Sequence, residues 1–335
     1  MIKRKKVIID TDPGVDDAFA LFYAVTHPQL DVLGITTTFG NVPTPLAAIN
    51  ARYLMERFGQ SHIPVAEGSH KPYKRPQSIC ADFVHGTDGL GNTFEVEEVG
   101  QNDPRPAHVM ICDIIRANPG EITIIAIAPL VNLALALDHD PGIAALVKEV
   151  VVMGGAIHCN GNINPAAEAN TFNDPEAAEK VFHAAWPVVL FPLDVTDHGI
   201  MPTSHVEDLA AYGEIGEYLC NMSQFYQDFY RRTREYNGVP VEGAVIHDLP
   251  PVMYLIHPEY FGFRSGGLHV MGGEDRLRGH IIMDDRTKWS HPHAWTDLPS
   301  VKVCFEADHQ SMYKAFEERL KAFSLENAAP PLLAL

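Results

Sequence analysis

Short apolar runs alternate with helical patterns along most of the chain. Val7, Ile8 and Ile9 are three apolar residues in a row, which reads as a strand buried on both faces. Pro13 and Gly14 stop it in a tight turn, and Asp16 and Asp17 open an apolar helix over residues 18–25. Residues 31–38 (DVLGITTT) form a second strand, so residues 7–38 make a βαβ unit. The alternation continues with helices over 47–58, 133–137, 175–184 and 206 to about 235, and strands over 62–66, 121–128, 147–153 and 187–193. Between residues 267 and 305 the pattern changes to three strands in antiparallel style, 267–271, 279–283 and 300–305, before an amphipathic helix over 312–323. Residues 67–106 are rich in loops, a length often used for lids. The fold class this predicts is α/β. A single large domain, 1–335, carries a mostly parallel central sheet flanked by helices, with a small antiparallel extension near the C-terminus.

Composition narrows the function. The chain has 335 residues, ample for a large core, and an ordinary balance of 46% hydrophobic and 20% charged residues. A formal net charge of −18 argues against nucleic-acid polymers and anionic membranes as partners and leaves a neutral small molecule open. The five cysteines lack zinc or CxxC spacing and read as reduced thiols. The basic start, residues 1–6, runs straight into a strand with no apolar leader core, and no apolar run is long enough to span a membrane. The expectation is a cytoplasmic protein.

The candidate chemistry begins at the first turn. Asp10, Asp12, Asp16 and Asp17 fall within eight residues at the C-terminal end of a strand, where open α/β sheets bind ligands. Carboxylates this close repel, and a hard divalent cation held by their oxygens resolves the repulsion. Helix capping is the simpler account of Asp16 and Asp17 and the less favoured one, since it leaves Asp10 and Asp12 unexplained. Five further stretches stand out: Gly40-Asn41, Val84-His85-Gly86, Pro129-Leu130-Val131-Asn132, the Met153 to Asn170 region and His247-Asp248. Taken singly, each reads as a turn or a polar loop.

Together they resemble one family. DTDPGVDDA, residues 10–18, resembles the N-terminal signature of the inosine-uridine-preferring nucleoside hydrolases, and the other stretches follow in that family's order, from residue 7 to about 320. The departures are Ala128 for a common Gly, Val131 for Thr and Ala169 for the usual Phe beside the sugar. The resemblance implies Ca²⁺-dependent hydrolysis of the N-glycosidic bond of ribonucleosides. It implies that Asp12, Asp17, Asp248 and the carbonyl of Ile127 hold the ion, with Asp12 as general base. Asp16, Asn41, Met153, Asn162, Glu168 and Asn170 would then grip ribose. His247 would give a proton to the leaving base, with His85 nearby. Both histidines lean toward a pyrimidine or inosine-uridine preference, and the family habit is a homodimer or homotetramer. Asp10 is expected to tie the loop by hydrogen bonds. Two other classes stay open: a haloacid-dehalogenase-type Mg²⁺ phosphatase with Asp10 as nucleophile, and a non-catalytic nucleoside-binding protein. Tyr226 and Tyr230 are aromatic candidates for contacting a base, although helical spacing more often means packing. The charged run 231–235 reads as a solvated face.

Overall fold

The computed structural model describes residues 3–76, 80–94, 99–236, 239–273, 276–286, 291 and 293–327. The strands of its main sheet are β1 (Lys5–Thr11), β2 (Leu30–Thr37), β3 (Val65–Glu67), β4 (Ile122–Ala126), β5 (Glu149–Met153), β6 (Val188–Phe191), β7 (Phe261–Val270), β8 (Ile281–Asp284) and β9 (Ser300–Ala307). They form one nine-stranded sheet in the order β8-β7-β9-β6-β5-β4-β1-β2-β3. The seven strands from β9 to β3 are mutually parallel, and β7 runs antiparallel to both β9 and β8. The fold is therefore α/β with a mostly parallel sheet and a small antiparallel part. The expectation for residues 267–305 is corrected in one respect: β9 pairs in parallel with β6, Lys302 opposite Val189, so the extension is sewn onto the main sheet.

Helices cover both faces. The longer ones are α1 (Val15–Thr26), α2 (Thr44–Arg57), α3 (Ala107–Ala117), α4 (Val131–His139), α5 (Pro175–Phe182), α6 (Glu214–Thr233), α7 (Leu249–Ile256) and α8 (His309–Asn327). Side chains alternate across a strand. Val7 and Ile9 join the core under α1, α2, α6, α7 and α8, while Ile8 joins the one under α3, α4 and α5. The same parity sends Thr11 toward α1 and Asp10 toward α4. The chain moves from β1 outward to β2 and β3, then crosses back to β4 on the other side of β1. That reversal opens a crevice at the C-terminal ends of β1 and β4, the place where doubly wound sheets bind ligands.

Two elements differ from the sequence pattern. The helix expected over 206–235 is divided: Thr203–Leu209 ends in a short 3₁₀ turn, and Gly213, at φ +89°, lets the chain reverse into α6. Past β6, the expected strand end is a short helix, Leu193–Thr196. Among the described residues no helix is long and apolar enough to cross a membrane.

Phe316 of α8 is fully buried and meets Phe19, Phe22 and Tyr23 of α1, with ring centroids 5.4, 5.6 and 6.2 Å away. Phe316→Ala should cost about 3–5 kcal/mol, read as a lower urea midpoint, and an unchanged midpoint would contradict this account of the α1–α8 contact.

Candidate active site

Everything at the crevice is set by the turn after β1. Thr11, facing α1, donates its hydroxyl to Asp17 Oδ1 at 2.5 Å. The other Asp17 oxygen accepts the Gly14 N–H (2.9 Å) and the Asn41 amide (2.9 Å). Asp17 thus caps α1. Asp12 Oδ2 accepts the backbone N–H of Asn41 at 2.7 Å, which ties the end of β1 to the end of β2. Asp12 Oδ1 and Asp16 Oδ1 are buried with no hydrogen-bond partner.

Asp16, Asp17 and Asp248 each present an oxygen within 4.8 Å of the others. Asp248 arrives from the residue before α7, which packs in the same core as α1. Burial and mutual repulsion drive these carboxyls upward. Asp16 is raised to about 8, and Asp12 and Asp248 well above the ordinary carboxyl range. Deprotonated carboxylates here need positive charge, so an all-oxygen donor set with two unpartnered buried oxygens fits a hard cation. The geometry adds Asp16 to the converging acids, whereas the sequence reading placed it at the sugar. Asp12 lies in the same cavity but outside that trio.

Asp10 sits one layer beneath, with no exposure at all. Its Oδ1 accepts the Thr36 hydroxyl (2.5 Å) and the Asn132 amide (2.8 Å), and Asn132 also donates to Thr37 O at 3.0 Å. It is raised to about 7, with burial as the largest cause. Asp10 therefore braces β1, β2 and α4, as expected from its place in the turn. The phosphatase alternative fails here, because a nucleophile must reach substrate and Asp10 does not line the cavity.

The cavity has a volume of about 310 Å³. Asp12, Asp16, Asn41 and Asp248 line its acidic floor, with Ile127 from the end of β4 and Met153 from the end of β5. Asn162, Glu168 and Asn170 line another side. Glu168 is held rigidly: Asn170 N, Gly155 N and Thr171 N donate to its carboxylate at 2.7, 2.8 and 3.1 Å. Asn162 Oδ1 accepts Ala169 N at 2.9 Å, and the Asn170 amide reaches Met153 O at 3.3 Å. These backbone bonds fix the direction of each polar head before any ligand arrives.

The histidines enter from two further segments. His85 Nδ1 accepts the Val15 N–H at 3.1 Å and lies 3.8 Å from Asp16 Oδ1. With Nδ1 accepting, the other ring nitrogen carries the proton. His247 is bonded at both nitrogens, to Thr196 Oγ1 at 3.0 Å and to Tyr230 Oη at 2.9 Å. Burial pushes both imidazoles down to about 3, so at rest they are neutral rings that engage in hydrogen bonds rather than store a proton.

Sequence reasoning missed much of the outer wall. Phe229, Thr233 and Arg234 line the cavity from the end of α6, joined by Ala81 and Phe83 from the 67–106 stretch, within which residues 77–79 and 95–98 lie outside the described residues. Tyr226 and Tyr230 are both buried and cavity-lining, and Tyr226 Oη donates to Val245 O at 2.7 Å. The solvated-face reading of 231–235 holds for Arg231, which pairs with Asp228 and Glu242. It fails for Arg234, which turns inward to pair with Asp197. The i, i+4 step from Tyr230 to Arg234 was the available signal.

This arrangement can be set beside known proteins. A family model described as inosine-uridine preferring nucleoside hydrolase matches residues 7–314. The chain is 38% identical over 319 residues to a protein of Arabidopsis thaliana named probable uridine nucleosidase 2, covering 95% of this chain and 98% of that one. It is 35% identical to the non-specific ribonucleoside hydrolase RihC of Salmonella paratyphi A, covering 85% and 90% of the two chains. A solved structure titled plant nucleoside hydrolase, PpNRh1 enzyme, superposes with a TM-score of 0.89 at 37% identity, covering 95% and 99%. The chain belongs to the inosine-uridine preferring nucleoside hydrolase family, whose members are N-glycosyl hydrolases.

Gly40, at φ +155°, lies against Asp12, and a Cβ there would come within 1.8 Å of Asp12 Oδ2. Gly40→Ala should therefore displace Asp12 and lower nucleoside hydrolysis by roughly 100-fold or more, with an unchanged circular dichroism spectrum. Full activity in that variant would contradict the placement of Asp12.

Proposed function

We propose that the protein hydrolyses the N-glycosidic bond of ribonucleosides to free base and ribose, with a pyrimidine or inosine-uridine preference, and that its cation is Ca²⁺. The observation that carries this reading is a single cavity whose floor is buried carboxylate and whose side is a pre-oriented set of amide and carboxylate heads. A vicinal diol asks for such paired acceptors and donors. A preference for uridine-type substrates is supported by the names of the relatives and by the presence of both His85 and His247.

Asp12, Asp17, Asp248 and the Ile127 carbonyl would hold the ion, with Asp16 beside them. When bound, it would supply positive charge that makes an oxygen nucleophile easier to deprotonate. Asp12, with an unpartnered oxygen in the cavity, takes the proton of the attacking water. Asn41, Asn162, Glu168 and Asn170 grip the ribose, and Asp16 adds negative charge beneath it. Such a site favours an oxocarbenium-like sugar over the neutral nucleoside. His247 and His85 assist the departing base by hydrogen bonding. The aromatic wall of Tyr226, Phe229 and Phe83 gives the base an apolar seat. We place this activity in a cytoplasmic homodimer or homotetramer.

Ribose release from inosine, uridine, cytidine, adenosine and guanosine, with and without chelator, tests the reading. The expected result is chelator-sensitive release that is fastest from uridine or inosine, reduced at least about 10³-fold in Asp12→Asn. Tight nucleoside binding without turnover would establish the non-catalytic alternative instead.

A further inference from the structure

The cavity is electrostatically one-sided. Its described lining holds the carboxylates of Asp12, Asp16, Glu168 and Asp248, and Arg234 is the only lysine or arginine among them. Arg234 follows α6, its backbone N–H bonded to Tyr230 O at 2.9 Å. Its guanidinium carbon lies 5.3 Å from the Tyr230 ring centroid, and Tyr230 Oη in turn meets His247 Nε2. Its ion-pair partner, Asp197, follows Thr196, which holds the other nitrogen of His247.

A simpler account treats the Arg234–Asp197 pair as a staple between the end of α6 and the helix Leu193–Thr196. Both side chains are about three-quarters buried, so removing either partner also tests the staple. A staple alone does not require the cation to line the substrate cavity beside Tyr230.

Breaking an N-glycosidic bond separates charge. The C1′–N bond cleaves, and its electron pair stays with the base nitrogen and spreads over the base's carbonyl oxygens. Water oxygen adds at C1′, and its proton goes to Asp12. On release the base takes a proton from solvent, and Asp12 returns its proton to solvent. Positive charge thus grows above the carboxylate floor while negative charge grows on the base, which the hydrolase reading seats against the aromatic wall that Arg234 shares.

We infer that Arg234 is a catalytic residue that stabilises the negative charge developing on the departing base. The inference rests on the hydrolase reading above and adds a leaving-group residue to it. Fixed donors aimed at developing charge are worth roughly 10²–10³-fold in rate.

The test uses leaving groups of graded acidity: uridine, 5-fluorouridine and 4-nitrophenyl β-D-riboside, whose nitrophenolate disperses its own charge. For Arg234→Met the expected kcat/KM falls roughly 100-fold or more on uridine, less on 5-fluorouridine and within about threefold on the nitrophenyl riboside. Arg234→Lys should recover most of the uridine loss. Asp197→Asn, which breaks the staple and keeps the cation, should hold uridine turnover within about tenfold of the wild type. Equal losses across all three substrates, or an Asp197→Asn defect equal to that of Arg234→Met, would overturn the inference and leave Arg234 a structural staple. Absence of ribose release by the wild-type protein from every substrate would instead defeat the hydrolase reading itself.

Discussion

The repulsion among Asp12, Asp16, Asp17 and Asp248 is the constraint on which the rest of this structure depends. Four buried carboxyls sharing one crevice are costly, and the fold offsets the cost by aiming donors at them. Thr11, Gly14 and Asn41 satisfy Asp17, and the Asn41 backbone satisfies one oxygen of Asp12. What remains unpartnered, Asp12 Oδ1 and Asp16 Oδ1, faces the place where a cation and substrate would sit. Stability is given up locally so that negative charge stands ready.

The sheet makes that concentration possible. Because the chain reverses direction across the sheet between β1 and β4, the turns after both strands open into the same crevice. Asp10 has a supporting role in this plan. Its position opposite both Thr36 and Ala126 lets one carboxylate lock three neighbouring elements, so that Asp12, two residues on, is held at a fixed height. Strand parity decides the division of labour: Asp10 points to α4, Thr11 to α1, and Asp12 emerges beyond the strand into the cavity.

How much of this was legible in the sequence follows from range. The strand-turn-helix at residues 7–25 is local, and its apolar run, Pro-Gly turn and acidic helix start suffice to read it. The bracing role of Asp10 was open from the sequence, since its partners Thr36 and Asn132 lie 26 and 122 residues away and only the fold brings them to it. The sugar-side residues became legible only through the order of the stretches along the chain, since Asn162 or Glu168 alone is indistinguishable from a polar loop. The α6 wall was not legible. Phe229 and Arg234 reach the cavity because Gly213 turns the chain and α6 packs over α1, a tertiary event that helical periodicity does not encode. The direction of Asp16 was not legible, because two adjacent acids at a helix start point in different directions, which only the fold resolves.

The most direct test of the central claim, that these carboxylates form one cation site, is calorimetric titration of the chelator-treated protein with Ca²⁺. The account predicts one Ca²⁺ per chain and a higher melting temperature in its presence, with both lost in Asp248→Asn while that variant stays folded. Absence of Ca²⁺ binding by the wild-type protein, or binding undiminished in Asp248→Asn, would contradict it.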